Sequence, residues 1–214
     1  MAVHRRLCEV ALILGVLCLL ASCAGSRLRS TSDSYSSPHG NFEVPIPAMG
    51  IFGSGTTVEE SSDERAGRVV FHGDLGFLQS ITYLRLPTNT TEILGDVARR
   101  EAAVRGFLHD YALPQMFKKV SAESEILLEE PSGEGLAAEY FAVVLIPEGS
   151  TIEDMRTGKR LDSMRALLIF PRGGYMYMLG YASALAFARE DTVEAFATSA
   201  RESLDRFRAT IQFN

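Results

Sequence analysis

Cys23 is the residue of this sequence best placed for covalent chemistry. It follows Leu20, Ala21 and Ser22. Its thiolate is the strongest nucleophile among the side chains. His72 and Asp74, spaced His-x-Asp, offer two metal ligands or a base with its orienting carboxylate. The same His72-Gly73-Asp74 is equally an ordinary polar turn between strands. His109, beside Asp110, falls near the expected end of a helix, where a cation meets the favourable end of the dipole. Tyr175, Tyr177 and Tyr181 share one face of a strand, with Met176, Met178 and Gly180 on the other. This pattern could line a ligand pocket or partner surface, or could be a strand with one face under a helix and the other at solvent or against a second layer. Arg156, Lys159 and Arg160, flanked further on by Arg165 and Arg172, form a basic tip on an acidic chain. Such a tip could meet phospholipid headgroups, lipopolysaccharide or an acidic partner. A hairpin tip balanced by Glu153, Asp154 and Asp162 is the plainer reading. Gly133-Glu134-Gly135-Leu136-Ala137-Ala138 lacks the strand before and helix after that a dinucleotide site needs, and is expected to be a hairpin turn. Gly53-Ser54-Gly55-Thr56-Thr57 has no Lys and is no P-loop. No G-x-S-x-G or His-Glu-x-x-His occurs, so no catalytic residue, metal site or cofactor is assigned.

The segment that delivers Cys23 begins with His4, Arg5 and Arg6 and continues as an apolar run from Val10 to Ala21, marred only by Glu9 at its start. Twelve residues in a helix reach about 18 Å, short of a hydrocarbon core of about 30 Å. The run therefore reads as the apolar part of a signal peptide. Leu20-Ala21-Ser22-Cys23 resembles the lipobox of bacterial lipoproteins. That resemblance implies cleavage between Ser22 and Cys23, acylation of Cys23 with palmitate among its acyl chains, and contact with the lipoprotein-processing machinery. An ordinary secretory signal leaving Cys23 as a stray thiol is the alternative. The other cysteines, Cys8 and Cys18, would leave with the signal, so no disulfide and no cysteine metal site is expected. Ala24, where the family's inner-membrane signal would be Asp, points to the periplasmic face of the outer membrane.

Behind this leader, 46% hydrophobic and 22% charged residues mark a globular chain. Its 214 residues suit one domain after the leader. A formal net charge of −6 excludes general nucleic-acid binding. Without residues 1–22 the balance is 19 basic to 26 acidic. Residues 23–41, rich in Ser with Gly25, Pro38 and Gly40, are expected to be the lipidated Cys and a flexible tether with a solvated His39. Residues 42–214 are then a single domain. Val44-Pro45-Ile46-Pro47 reads as an extended edge segment, followed by strands near 56–60, 68–71 and 77–86. Thr88–Thr91 offer N-caps for a helix to about Tyr111, with Ile93, Val97, Val104, Leu108 and Tyr111 at helical spacing and Pro114 limiting its end. Strands follow at 125–129, 136–146, 164–170 and 174–182, the last two joined by Pro171-Arg172-Gly173. A final helix spans about Thr192 to Arg208, capped by Asp191 and Glu194. Too few helices for βαβ units imply an α+β sandwich, an antiparallel sheet packed by two main helices. This element order, with hairpins around Tyr140 and Tyr175, resembles the PsbP-like fold. Members of that fold act mostly as accessory or binding proteins, and the resemblance supplies no catalytic set.

These features predict a lipid-anchored envelope lipoprotein whose periplasmic domain binds or assembles without catalysis. Its partners would be membrane lipid through Cys23 and an unidentified envelope protein or small ligand. Two alternatives stand: a lipid-anchored hydrolase or metal-dependent enzyme using His72 and Asp74, and a self-assembling structural component.

Overall fold

A computed structural model describes the backbone of residues 26–28, and residues 33–49, 55–87, 90, 96–132, 139–187 and 192–214. The leader 1–22, Cys23 and the Gly-containing turn 133–138 lie outside them. The strands are β1 (Ser26–Leu28), β2 (Ser34–Ser36), β3 (Phe42–Pro45), β4 (Thr57–Ser62), β5 (Ala66–His72) and β6 (Leu78–Arg85). After them come β7 (Glu125–Ser132), β8 (Glu139–Ile146), β9 (Ser163–Arg172), β10 (Tyr175–Ala184) and β11 (Gln212–Phe213). Eight strands form one sheet in the order β1-β4-β5-β6-β10-β9-β8-β7, and β11-β3-β2 form a second. All pairings are antiparallel. Helix α1 (Val97–Gly106) runs into a π-wound arm, Phe107–Phe117, and α2 (Val193–Thr210) closes the chain. The expected α+β sandwich is the architecture found. No described helix is long and apolar enough to cross a membrane.

Alternation along the strands sends side chains to two covered faces. On one face Val69, Phe71, Ile81, Tyr83, Tyr177 and Leu179 pack under Phe196, Ala200, Leu204 and Phe207 of α2, with Phe42 and Val44 of the small sheet. On the other, Ala142, Val144, Leu167, Ile169, Met176 and Met178 pack under Val104, Leu108, Tyr111 and Phe117. Strands β8 to β10 are thus buried on both sides, which explains their near-continuous apolar runs. Each fully buried large side chain contributes about 1.5–3 kcal/mol.

Several local expectations are corrected. The folded body starts before Phe42: β2 pairs with β3, Ser37 and Asn41 are buried, and even Ser26–Leu28 pair with β4. Composition hid this because the Ser and Gly residues serve strand ends and turns. His39 is not simply solvated: its Nε2 lies 2.6 Å from the Asp63 carbonyl and its ring meets Tyr83 edge-on. Strand β3 is the central strand of its sheet, not an edge, with Pro45 at its last position. Pro114 does not end the helix. It cannot donate, and its ring crowds the preceding turn, and the wider π winding carries the chain past it to Phe117. Val97 is 44% exposed and off the apolar face. Asp96 caps α1, accepting from the Arg99 amide at 2.9 Å, and Thr192 caps α2, accepting from the Ala195 amide at 3.1 Å. The β9–β10 turn is Gly173-Gly174, with φ of +57° and +80°, the left-handed pair that a two-residue hairpin demands.

Candidate functional site

The tyrosine face of β10 packs against the core under α2. Tyr177 is 1% exposed in the core under α2. Its hydroxyl accepts from Asn41 Nδ2 at 2.9 Å, while Ser37 Oγ donates to Asn41 Oδ1 at 2.6 Å. Burial pushes the Tyr177 phenol up to about 12, against the pull of the Asn41 hydrogen bond. Tyr175 packs on Tyr83 and Tyr177, and Tyr181 on Phe196. The sequence showed the alternation, and what covers each face came only with the fold.

Among the described residues, His72 and Asp74 belong to no group of three or more His, Cys, Asp or Glu that could hold an ion. His72, at the end of β5, instead places Nε2 3.3 Å from Glu59 of β4. Asp74 opens the short 3-10 turn Asp74–Gly76. His109 is not at a helix end. Within the π arm it lies 2.6 Å from Glu129 Oε2, while Arg105 Nη2 donates to Glu129 Oε1 at 2.9 Å. Together the two side chains pin the end of α1 and the arm to β7. A groove lined by Ala98, Glu101, Ala102, Arg105 and His109 runs outside this contact; Arg105 and His109 are already engaged with Glu129, and the groove holds no buried polar group.

Arg156, Lys159 and Arg160 sit on an exposed loop closed by a bridge between Glu153 and Arg160. Asp154 accepts from the Arg156 and Thr157 amides at 2.7 and 3.1 Å, and Lys159 pairs with Glu148 at 3.3 Å. Met155 at its tip is fully exposed. Arg165 does not belong to this basic tip, although it is near in sequence.

The chemistry that the sequence did not disclose lies on the sheet face beside the arm. Register aligns Arg68, Thr82, Met178 and Ile169 in one row across β5, β6, β10 and β9. The next row on that face is Glu59, Val70, Ser80, Gly180 and Leu167, and the one after is His72, Leu78, Ala182 and Arg165. Arg68 on β5 and Arg165 on β9 therefore flank two strands that present Thr82, Ser80 and Leu78, and Met178, Gly180 and Ala182, on this face. The Ser80 hydroxyl lies so close over Gly180 that a Cβ there would approach it to 2.5 Å. The Nε atoms of Arg68 and Arg165 and the hydroxyl of Thr82 are shut off from solvent without a hydrogen-bond partner. Burial lowers the proton affinity of Arg68, opposed by Glu59. Burial and then the Arg68 charge push Arg165 down to about 9, so its guanidinium stays charged at neutral pH. Arg165 also lies 5.9 Å from the centre of the Phe117 ring. The signal available in the sequence was a charge inside the doubly buried run Met164-Arg165-Ala166-Leu167.

No family model matches this chain, and no curated protein matches it. Among solved structures it is similar to cyanobacterial PsbP (CyanoP) from Synechocystis sp. PCC 6803, with 13% identity, coverage of 89% of this chain and 98% of that one, and a TM-score of 0.42. It is also similar to a crystal structure from Bacteroides thetaiotaomicron, with 11% identity, 86% and 49% coverage, and a TM-score of 0.39.

Proposed function

We propose that this chain is a lipid-anchored lipoprotein of the bacterial envelope, acylated on Cys23, whose body is a non-catalytic binding or assembly module in the periplasm. The observation that carries the reading is Leu20-Ala21-Ser22-Cys23 closing an apolar run too short to span a bilayer. Small residues admit the peptidase, and the thiol takes the lipid. Two or three acyl chains, at about 0.8 kcal/mol per buried methylene, hold a protein far more firmly than one. Ala24 in place of Asp favours the outer membrane. The test is metabolic labelling with radioactive palmitate followed by membrane fractionation. Label on the wild type, with Cys23→Ser unlabelled and either unprocessed or released from membranes, supports the reading. An unlabelled wild type whose fractionation matches Cys23→Ser overturns it.

A further inference from the structure

Arg68 and Arg165 stand on one face of the sheet, on β5 and β9, with their Nε atoms shut off from solvent, and a cation shut off from solvent without a counter-charge is among the costliest arrangements in a protein. Neither Arg68 nor Arg165 forms an ion pair with a described carboxylate. Glu59, whose charge Arg68 senses, is engaged by His72. Between the two arginines the face carries Ser80, Thr82, Gly180 and Ala182, with Leu78 and Met178 at its corners, and the Thr82 hydroxyl, on a residue only 7% exposed, is an additional donor without an acceptor. Unmet buried donors of this kind mark a place for a missing ion or ligand. Arginine's planar fork suits the paired oxygens of carboxylate and phosphate groups.

We propose that Arg68 and Arg165, with the Thr82 hydroxyl, bind an oxyanion group, carboxylate or phosphoryl, on the sheet face beside the helical arm. This gives a ligand class to the binding body put forward above and rests on that reading, but not on the acyl anchor. The group sits between the two guanidiniums, takes hydrogen bonds from their Nε atoms and from Thr82, and leaves Glu59 to His72. Its charge cancels the mutual repulsion of the arginines.

The experiment is calorimetric titration of the full chain in neutral detergent, in buffer free of other oxyanions, with inorganic phosphate and separately with succinate. Saturable binding of either probe, weakened about tenfold or more in Arg68→Gln and in Arg165→Gln at unchanged circular dichroism, supports the site. Phosphate alone identifies a phosphoryl ligand and succinate alone a carboxylate. Should the Gln variants fail to fold, Arg165→Lys keeps the charge but removes the fork, and weaker binding by this folded variant supports the site equally. No saturable heat from either probe, or binding undiminished in the folded variants, overturns it. Palmitate labelling of Cys23 reads the anchor separately, so failure of one result leaves the other intact.

Discussion

Asn41 ties a short segment of the small sheet to the centre of the large one. Its amide donates to Tyr177, its carbonyl oxygen accepts from Ser37, and Ser37 Oγ also lies 3.2 Å from the Tyr83 hydroxyl. All four residues are buried, so Asn41→Ala leaves donors and acceptors unpaired and is expected to cost about 1–3 kcal/mol. A urea melt with a lowered midpoint and unchanged slope would show it. The same network sets an alkaline limit. Tyr177 titrates near 12 in the folded protein, above its ordinary value of 10. A folded-state pKa raised in this way gives stability that is complete below pH 10 and is lost as pH rises through about 12. Tyr177→Phe should flatten the fall in melting temperature between those values, and an equally steep fall in the variant would count against it. Tyr111, raised to about 12 by burial and then by Asp63, contributes in the same window. Single residues were the least legible part of the sequence. The spacing of Tyr175, Tyr177 and Tyr181 gave their shared face correctly, yet not that α2 lies over it. Arg165 reads along the chain as a strand residue flanking a basic tip, and only the pairing of β9 on both sides shows its Nε shut off from solvent.

Elements were read more surely, because periodicity is a local property while winding and capping depend on single residues. The main strands from β4 to β10 and both helices fall where apolar alternation and the 3.6-residue stripe place them. The misses are where one residue overrides the pattern: Pro114 absorbed by π winding, Gly174 joining Gly173 in the turn, and Thr192 taking the cap from Asp191. That last substitution of roles has a measurable consequence. Thr192→Ala removes the acceptor for the Ala195 amide and should cost about 1 kcal/mol in thermal unfolding, while Thr192→Ser should cost a few tenths at most. In the sheet, Gly67 of β5 faces Tyr83 of β6, whose ring covers the glycine so closely that any Cβ would overlap it. Gly67→Ala must displace a tyrosine that is 1% exposed, and a loss of about 1–3 kcal/mol is expected. A crystal structure of that variant with Tyr83 unmoved would contradict the argument.

At the scale of the whole molecule, the reach of chain between Cys23 and the body is what the structure changes most. A tether running from residue 24 to residue 41 would let the body wander several nanometres from a bilayer. With residues 33–49 in the fold and Ser26–Leu28 paired to β4, only Ala24 and Gly25 separate Cys23 from the first paired strand. At 3.3–3.6 Å per extended residue, Cys23 lies within about 11 Å of Ser26 and about 36 Å of Asp33. If Cys23 carries the lipid, the β1–β4 edge is therefore the part of the body held against the headgroups, and the β7 edge, at the opposite end of the eight-stranded sheet, points away. Vesicles bearing a spin-labelled headgroup lipid test this arrangement. In the lipidated protein the amide signals of Val58, Glu59 and Glu60 should broaden well before those of Leu128 and Glu129. Inserting a long Gly/Ser segment after Ala24 frees the body, because the span of a flexible linker grows with the root of its length. The contrast between the two edges should then fade, and a contrast that survives the insertion would place the edge at the membrane by some contact other than the anchor.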